Sequence, residues 1–155
     1  MVSHLDKSNN PIMVDVGNKK ITERTAVAEG EIIFDKKTFK KIDSFKSKKG
    51  SINNIAIIAG IMGAKETSRL IPLSHNIPIE SVEIDISRNN KKNLIKVIAT
   101  VKTSAKTGVE IEALTAVSIS CLTIYDMCKY LNKSIKISNL RLVLKKGGKS
   151  TNFKR

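Results

Sequence analysis

KTSAKTGVEIEALTAVSISCLTIYDMCK, residues Lys102 to Lys129, is the stretch around which the rest of the chain is organised. A short basic loop, Lys102 to Gly108, opens it, and two carboxylates follow at Glu110 and Glu112. No charged residue then occurs from Ala113 to Tyr125, after which Asp126 and Lys129 stand three apart. Leu114, Val117, Cys121, Ile124, Tyr125 and Cys128 recur at helical spacing. Ala113, Ala116, Ile119 and Met127 fill much of the other side, so the helix is apolar nearly all round. Such a helix is buried, in its own domain or against another subunit. Residues three apart share a helix face, so Asp126 and Lys129 project together. On spacing alone, a solvated ion pair closing the helix is the simpler account of them.

Outward from this helix the pattern changes period. Leu94 to Thr103 alternates with Ile95, Val97, Ala99 and Val101 on one face, and Ser81 to Ile86 alternates with Val82, Ile84 and Ile86. The polar turn SRNNKKN, Ser87 to Asn93, joins the two as a hairpin. Upstream, Ser51 caps a second helix running to about Ser68, with Gly60, Gly63 and Ala64 small enough for another backbone to come close. Asp35 to Phe45 holds a short helix with Phe39 and Ile42 as its apolar side, followed by a basic loop, Lys46 to Gly50. Thr25 to Phe34 reads as the first strand. Ile135 to Lys145 reads as the last, its phase slipping at Ser138–Asn139 as a bulge requires.

The order is strand, helix, strand, strand, helix, strand. It predicts an α+β fold, a ferredoxin-like split β-α-β sandwich with an antiparallel sheet. Helices cover one face of such a sheet, and the other face must find cover or stay polar. The predicted organisation is an irregular arm over 1–24, one domain over 25–145 and a flexible Gly- and Lys-rich tail over 146–155.

The net charge of +14 over 155 residues suggests an anionic partner. Nucleic acid is the weaker choice. An RNA-binding sheet of this topology displays aromatics on a central strand, and strand 94–103 has none. Cys121 and Cys128 lie in no CxxC or Cys/His cluster, so no metal site is expected, and they read as buried thiols of a reducing compartment. No apolar run approaches a membrane span and the first ten residues lack a secretory core, so a cytoplasmic protein is expected. Gly148–Lys149–Ser150 imitates the end of a phosphate loop, but Val143 stands where that motif needs glycine.

Several stretches read together form one series: Met13-Val14-Asp15-Val16, Thr22-Glu23-Arg24, Ile58-Ala59-Gly60-Ile61 and Ala64-Lys65, then Leu70-Ile71-Pro72-Leu73-Ser74-His75. The blocks from Lys106 to Ala116, from Ile124 to Lys129 and from Gly147 to Ser150 complete it. From about residue 12 to 154 this closely resembles the MoaC family of cyclic pyranopterin monophosphate synthases, in molybdenum cofactor biosynthesis. The resemblance implies a ferredoxin-like lyase assembling as a hexamer, a trimer of dimers. Its substrate would be a small nucleotide derivative, 3′,8-cyclo-7,8-dihydroguanosine 5′-triphosphate, converted to cyclic pyranopterin monophosphate and diphosphate. No cofactor, nucleic acid or membrane is implied.

By position, Asp126 and Lys129 match the family's catalytic acid–base pair. Leu73, Ser74 and His75 match one substrate-binding loop. Ile111 and Glu112 match a second, with Glu110 beside it. Lys49, Arg24 and Lys145 match basic residues around the triphosphate and the reacting ring. Two departures stand out. The family usually has Cys-His-Pro where this chain has Ser74-His75-Asn76, which predicts a freer His75 loop. Ala105 replaces a more usual glycine.

Overall fold

The computed structural model describes residues 4–42, 46–47, 50–148 and 152–155. From His4 to Ile21 the chain runs as an irregular arm of turns, with one isolated bridge between Leu5 and Pro11. The first strand, β1, runs Thr22–Ile33 and so starts three residues before its sequence-predicted position. Asp35 then caps the short helix α1 (Lys36–Lys41) by accepting from the Thr38 amide. Phe39 and Ile42 are buried beneath it, as their spacing implies. Two-residue strands β2 (Lys46–Ser47) and β3 (Gly50–Ser51) pair where a plain basic loop was expected.

Ser51 caps α2 (Ile52–Lys65). The expected single helix to Ser68 is interrupted at Glu66, and α3 (Thr67–Leu70) follows as a separate turn. The hairpin is β4 (Ser81–Asn89) and β5 (Leu94–Ala105). It is longer than predicted because polar residues, Ser87 to Asn89 and Ser104, keep pairing on the solvent side. The stretch Lys102–Ala105, expected as loop, is therefore strand, and the true loop shrinks to 106–109.

The organising helix is α4 (Glu110–Cys128). By length and composition it could cross a membrane. Instead it packs against α2, β1, β5 and β6, where β6 is Lys136–Lys146. Its apolar residues Val117, Cys121 and Ile124 join Ile32, Ile95 and Val97 in one core. At Gly60 the two long helices nearly touch: an added Cβ would run into Ser120, whose hydroxyl donates to the Ala56 carbonyl at 2.9 Å.

The sheet order is β4-β5-β1-β6-β7, with β7 at Phe153–Lys154 and every pairing antiparallel. The long elements follow one another as β1-α2-β4-β5-α4-β6, the predicted alternation of an α+β fold. Two register shifts interrupt the β1–β6 pairing. One falls where β6 reaches Asn139, whose φ of 52° marks the slip seen in the sequence. The tail, expected to be flexible, returns to the sheet as β7 against Leu144 and Lys145. The face turned away from the helices stays mainly polar. There Glu29 accepts from Lys96 and Arg141 and is held below the usual carboxylate range, by the Lys96 hydrogen bond first.

Candidate functional site

The end of the sheet where β5 hands over to α4 carries a cleft of about 490 Å³. Its walls include Leu73, Ser74 and His75 from the segment after α3, Glu110, Ile111 and Glu112 from the first turn of α4, and Lys145 from β6. Seven of the predicted residues thus line one space. A second hollow of about 520 Å³ adjoins it, sharing Lys19, Thr107, Gly108, Glu110 and Lys145 and adding Lys20, Arg24 and Lys106.

Local rules explain this convergence. Val109, buried, anchors the loop between β5 and α4. The Glu110 carboxylate folds back over Gly108, into the space a Cβ would need, so a side chain at 108 would push that carboxylate aside. Glu110 is then ion-paired with the Lys145 ammonium. Acids in the first turn also suit the positive end of the helix dipole.

Glu112 points into the protein. It is 3% exposed, and burial first, with the charge of Glu110 as a smaller contributor, pushes its carboxyl up from 4.5 to about 7. A carboxyl with that affinity exchanges protons near neutrality.

Arg24 is also buried. Its guanidinium donates to the Gly147 carbonyl at 3.3 Å and the Lys106 carbonyl at 3.2 Å, while its Nε finds no partner. Those acceptors are neutral, so among the described residues no carboxylate is paired with the charge of Arg24. Gly148 has a φ of 86°, and a Cβ there would collide with the Arg24 guanidinium. The Gly147–Gly148 step is a seat for that arginine.

His75 is half-buried and fixed. Its Nε2 lies 2.7 Å from the Val14 carbonyl. A carbonyl can only accept, so Nε2 is the donor, and of the two neutral tautomers this selects the one whose Nδ1 is an acceptor. The missing proline at Asn76 therefore does not leave the imidazole loose, because the arm holds it.

Asp126 and Lys129 are elsewhere. Their predicted pairing is present, Nζ to Oδ1 at 2.7 Å, with side chains 56% and 54% exposed. Asp126, chiefly through its hydrogen bond, raises the pKa of Lys129. The pair, however, sits at the opposite end of α4. Nineteen positions at about 1.5 Å each separate Lys129 from Glu110, roughly 28 Å. One chain cannot bring all the predicted residues together. Lys49 lies outside the described residues.

The arm is what sequence reasoning missed. Val14, Val16 and Lys19 wall the first cleft, and Lys19 and Lys20 the second. Irregular, charged sequence gave no periodic signal; the only hint was the Met13–Val16 block within the resemblance. Cys121 and Cys128 are buried and unpaired, with thiols pushed up to about 12 and about 11 by burial. Among the described residues no group of three or more His, Cys, Asp or Glu is placed to hold a metal ion.

Comparison with known proteins identifies the family. The profile of the MoaC family matches residues 13–148. A cyclic pyranopterin monophosphate synthase of Helicobacter pylori (strain Shi470) is 50% identical over 152 residues, 98% of this chain and 96% of that protein. One of Campylobacter jejuni is 50% identical over 154 residues, covering 99% and 98%. One of Clostridium botulinum is 49% identical over 151 residues, covering 97% and 95%. Matched from the arm to the Gly147–Gly148 seat, the chain belongs to the MoaC family.

Proposed function

We propose that the chain is a cyclic pyranopterin monophosphate synthase, a lyase of molybdenum cofactor biosynthesis. It would convert 3′,8-cyclo-7,8-dihydroguanosine 5′-triphosphate into cyclic pyranopterin monophosphate and diphosphate. The observation that carries this reading is a basic hollow fused to a cleft that holds a buried carboxyl titrating near 7. Polyanion binding and proton transfer are the two things the reaction needs.

Roles follow from the contacts. Arg24, its Nε idle and its charge paired with no carboxylate among the described residues, meets the phosphates, and Lys145 joins it when an incoming anion competes for its bond to Glu110. Formation of the cyclic phosphate has a sugar hydroxyl attack the α-phosphorus. The new O–P bond forms as the bond to diphosphate breaks, and diphosphate leaves with the electron pair. Cations beside that oxygen stabilise its developing charge. Glu112 and the Nδ1 of His75 are the groups able to take or return protons during ring rearrangement. Leu73, Ser74 and Ile111 shape the walls that receive the ring.

Lys129 enters from a second copy. Ile58, Met62, Leu70 and Leu122 are large apolar side chains left exposed on or beside the long helices, a surface that invites a partner. A homo-oligomer, in the family's form a hexamer built of dimers, would bring the Asp126–Lys129 end of one α4 to the cleft of another. Held protonated by Asp126, Lys129 acts first as an acid. Two buried, unpaired thiols suit a reducing cytoplasm.

The test is incubation of purified protein with the cyclised GTP intermediate, following diphosphate release and product mass together. Both products should appear in equal amounts. Diphosphate without the pterin, or neither, would rule the assignment out.

A further inference from the structure

The cations around the cleft differ in what they already do. Lys145 is paired with Glu110. Arg24 is clamped by two carbonyls, and the Lys106 ammonium donates to the Gly17 carbonyl at 2.7 Å. Lys19 and Lys20 line the same hollow and pair with no carboxylate among the described residues. Lys19 reaches both spaces. Among the described residues these two lysines have no ion pair to give up before they meet an anion.

They sit on a segment tied at two points to the loops that build the site. Val14 accepts from His75, and three residues later Gly17 accepts from Lys106. Between them the Asp15 carboxylate receives the Gly17 amide at 2.7 Å, and Lys19 closes a turn onto the Val16 carbonyl at 3.0 Å. The two anchors lie just before the two lysines. Another basic hollow, at the β4–β5 turn, also carries two lysines with no carboxylate partner among the described residues, Lys91 and Lys92, but its Lys96 and Arg88 bond to Glu29, Ile42 and Phe39, and not to the loops that build the site.

We propose that Val14–Lys20 is a polyphosphate-binding strap. Lys19 and Lys20 take the phosphates farthest from the ring, while the His75–Val14 and Lys106–Gly17 hydrogen bonds position them. This deepens the assignment of Arg24 and Lys145 and rests on the reading that the substrate carries a triphosphate. The strap makes polyphosphate binding a property of the arm, and couples it to the orientation of His75.

The probe is inorganic tripolyphosphate, titrated calorimetrically into the full-length protein at low and moderate salt, beside turnover of the cyclised nucleotide. Lys19→Gln/Lys20→Gln should weaken tripolyphosphate binding about tenfold or more and flatten its salt dependence, since charge-assisted contacts are lost. KM should rise with it while kcat stays within about twofold. Lys91→Gln/Lys92→Gln removes the same charge at the β4–β5 turn and should change neither by more than about twofold. Lys106→Met should reproduce much of the arm variant's loss and Lys106→Arg restore it. Equal losses in the arm and turn variants, an unchanged arm variant, or wild type that ignores tripolyphosphate would each overturn the strap. Wild type that binds tripolyphosphate in this pattern yet leaves the nucleotide unchanged would sink the synthase reading and leave the strap standing. Normal turnover with arm variants matching wild type would do the reverse.

Discussion

The two ends of α4 make opposite uses of the same chemistry. At the Glu110 end, acids are drawn inward: one is paired with Lys145, the other is buried and titrates near 7. Loops, arm and sheet all converge there. At the Lys129 end, an acid and a base of similar pairing geometry stand in water, and the raised pKa of Lys129 rests on Asp126. Burial raises the proton affinity of a first-turn carboxylate; exposure leaves an ion pair as a fixed charge. The difference teaches that a residue's chemistry belongs to its surroundings, and that the exposed end acquires a role only when something covers it.

The sharpest way to break this contrast is to remove the exposed pair. If Lys129 works in a cleft supplied by another copy, Lys129→Ala or Asp126→Asn should cut turnover about a hundredfold or more. The double variant should be little worse than the worse single one, because residues acting as a unit are non-additive. Oligomeric state and melting temperature should not move. Near-wild-type rates in an assembled Lys129→Ala protein would return the pair to the status of a surface ion pair.

A smaller effect is expected from the seat of Arg24. Gly148→Ala places a side chain at positive φ and against the guanidinium. It should cost about 1–2 kcal/mol of stability and raise KM about tenfold with less change in kcat. Denaturant midpoints and steady-state kinetics read the two effects separately. A variant with unaltered KM would remove Arg24 from the phosphate contacts.

The smallest effect concerns pH. Glu112 has its folded pKa raised from 4.5 to about 7, so the native state resists its ionisation. Its contribution is therefore intact below pH 4.5 and is lost as pH rises to about 7. Glu112→Gln should be little different from wild type at pH 4.5 and more stable than wild type at pH 8. Unfolding midpoints at the two values test it. A constant difference would mean that Glu112 is not buried as a titrating group in the assembly.

Much of this was legible before the structure. Period 3.6 identified α4 and α2, and period 2 the hairpin, because their apolar residues face one core. The slip at Asn139 was visible because a bulge displaces the alternation by one. The site was legible only as separate pieces. Spacing put Asp126 beside Lys129 correctly, but could not say that they lie a helix length from Glu112. That depends on which end of α4 meets the β5 loop. The arm was unreadable for a different reason: its order comes from two long-range hydrogen bonds, at Val14 and Gly17, that use backbone carbonyls and leave no mark on side-chain pattern. Strand ends were set too short because pairing continues through polar residues such as Ser87, Ser104 and Lys146.

The claim that one site is assembled from opposite ends of two α4 helices is tested most directly by complementation. Lys129→Ala and Glu112→Gln proteins, each inactive alone, are mixed, dissociated and reassembled, with mixed oligomers verified by native mass spectrometry. If the site is shared between copies, activity should return to roughly a quarter of the wild-type rate, the share of interfaces in which both contributing halves are intact. Verified mixed oligomers that remain as inactive as their parents would contradict the account.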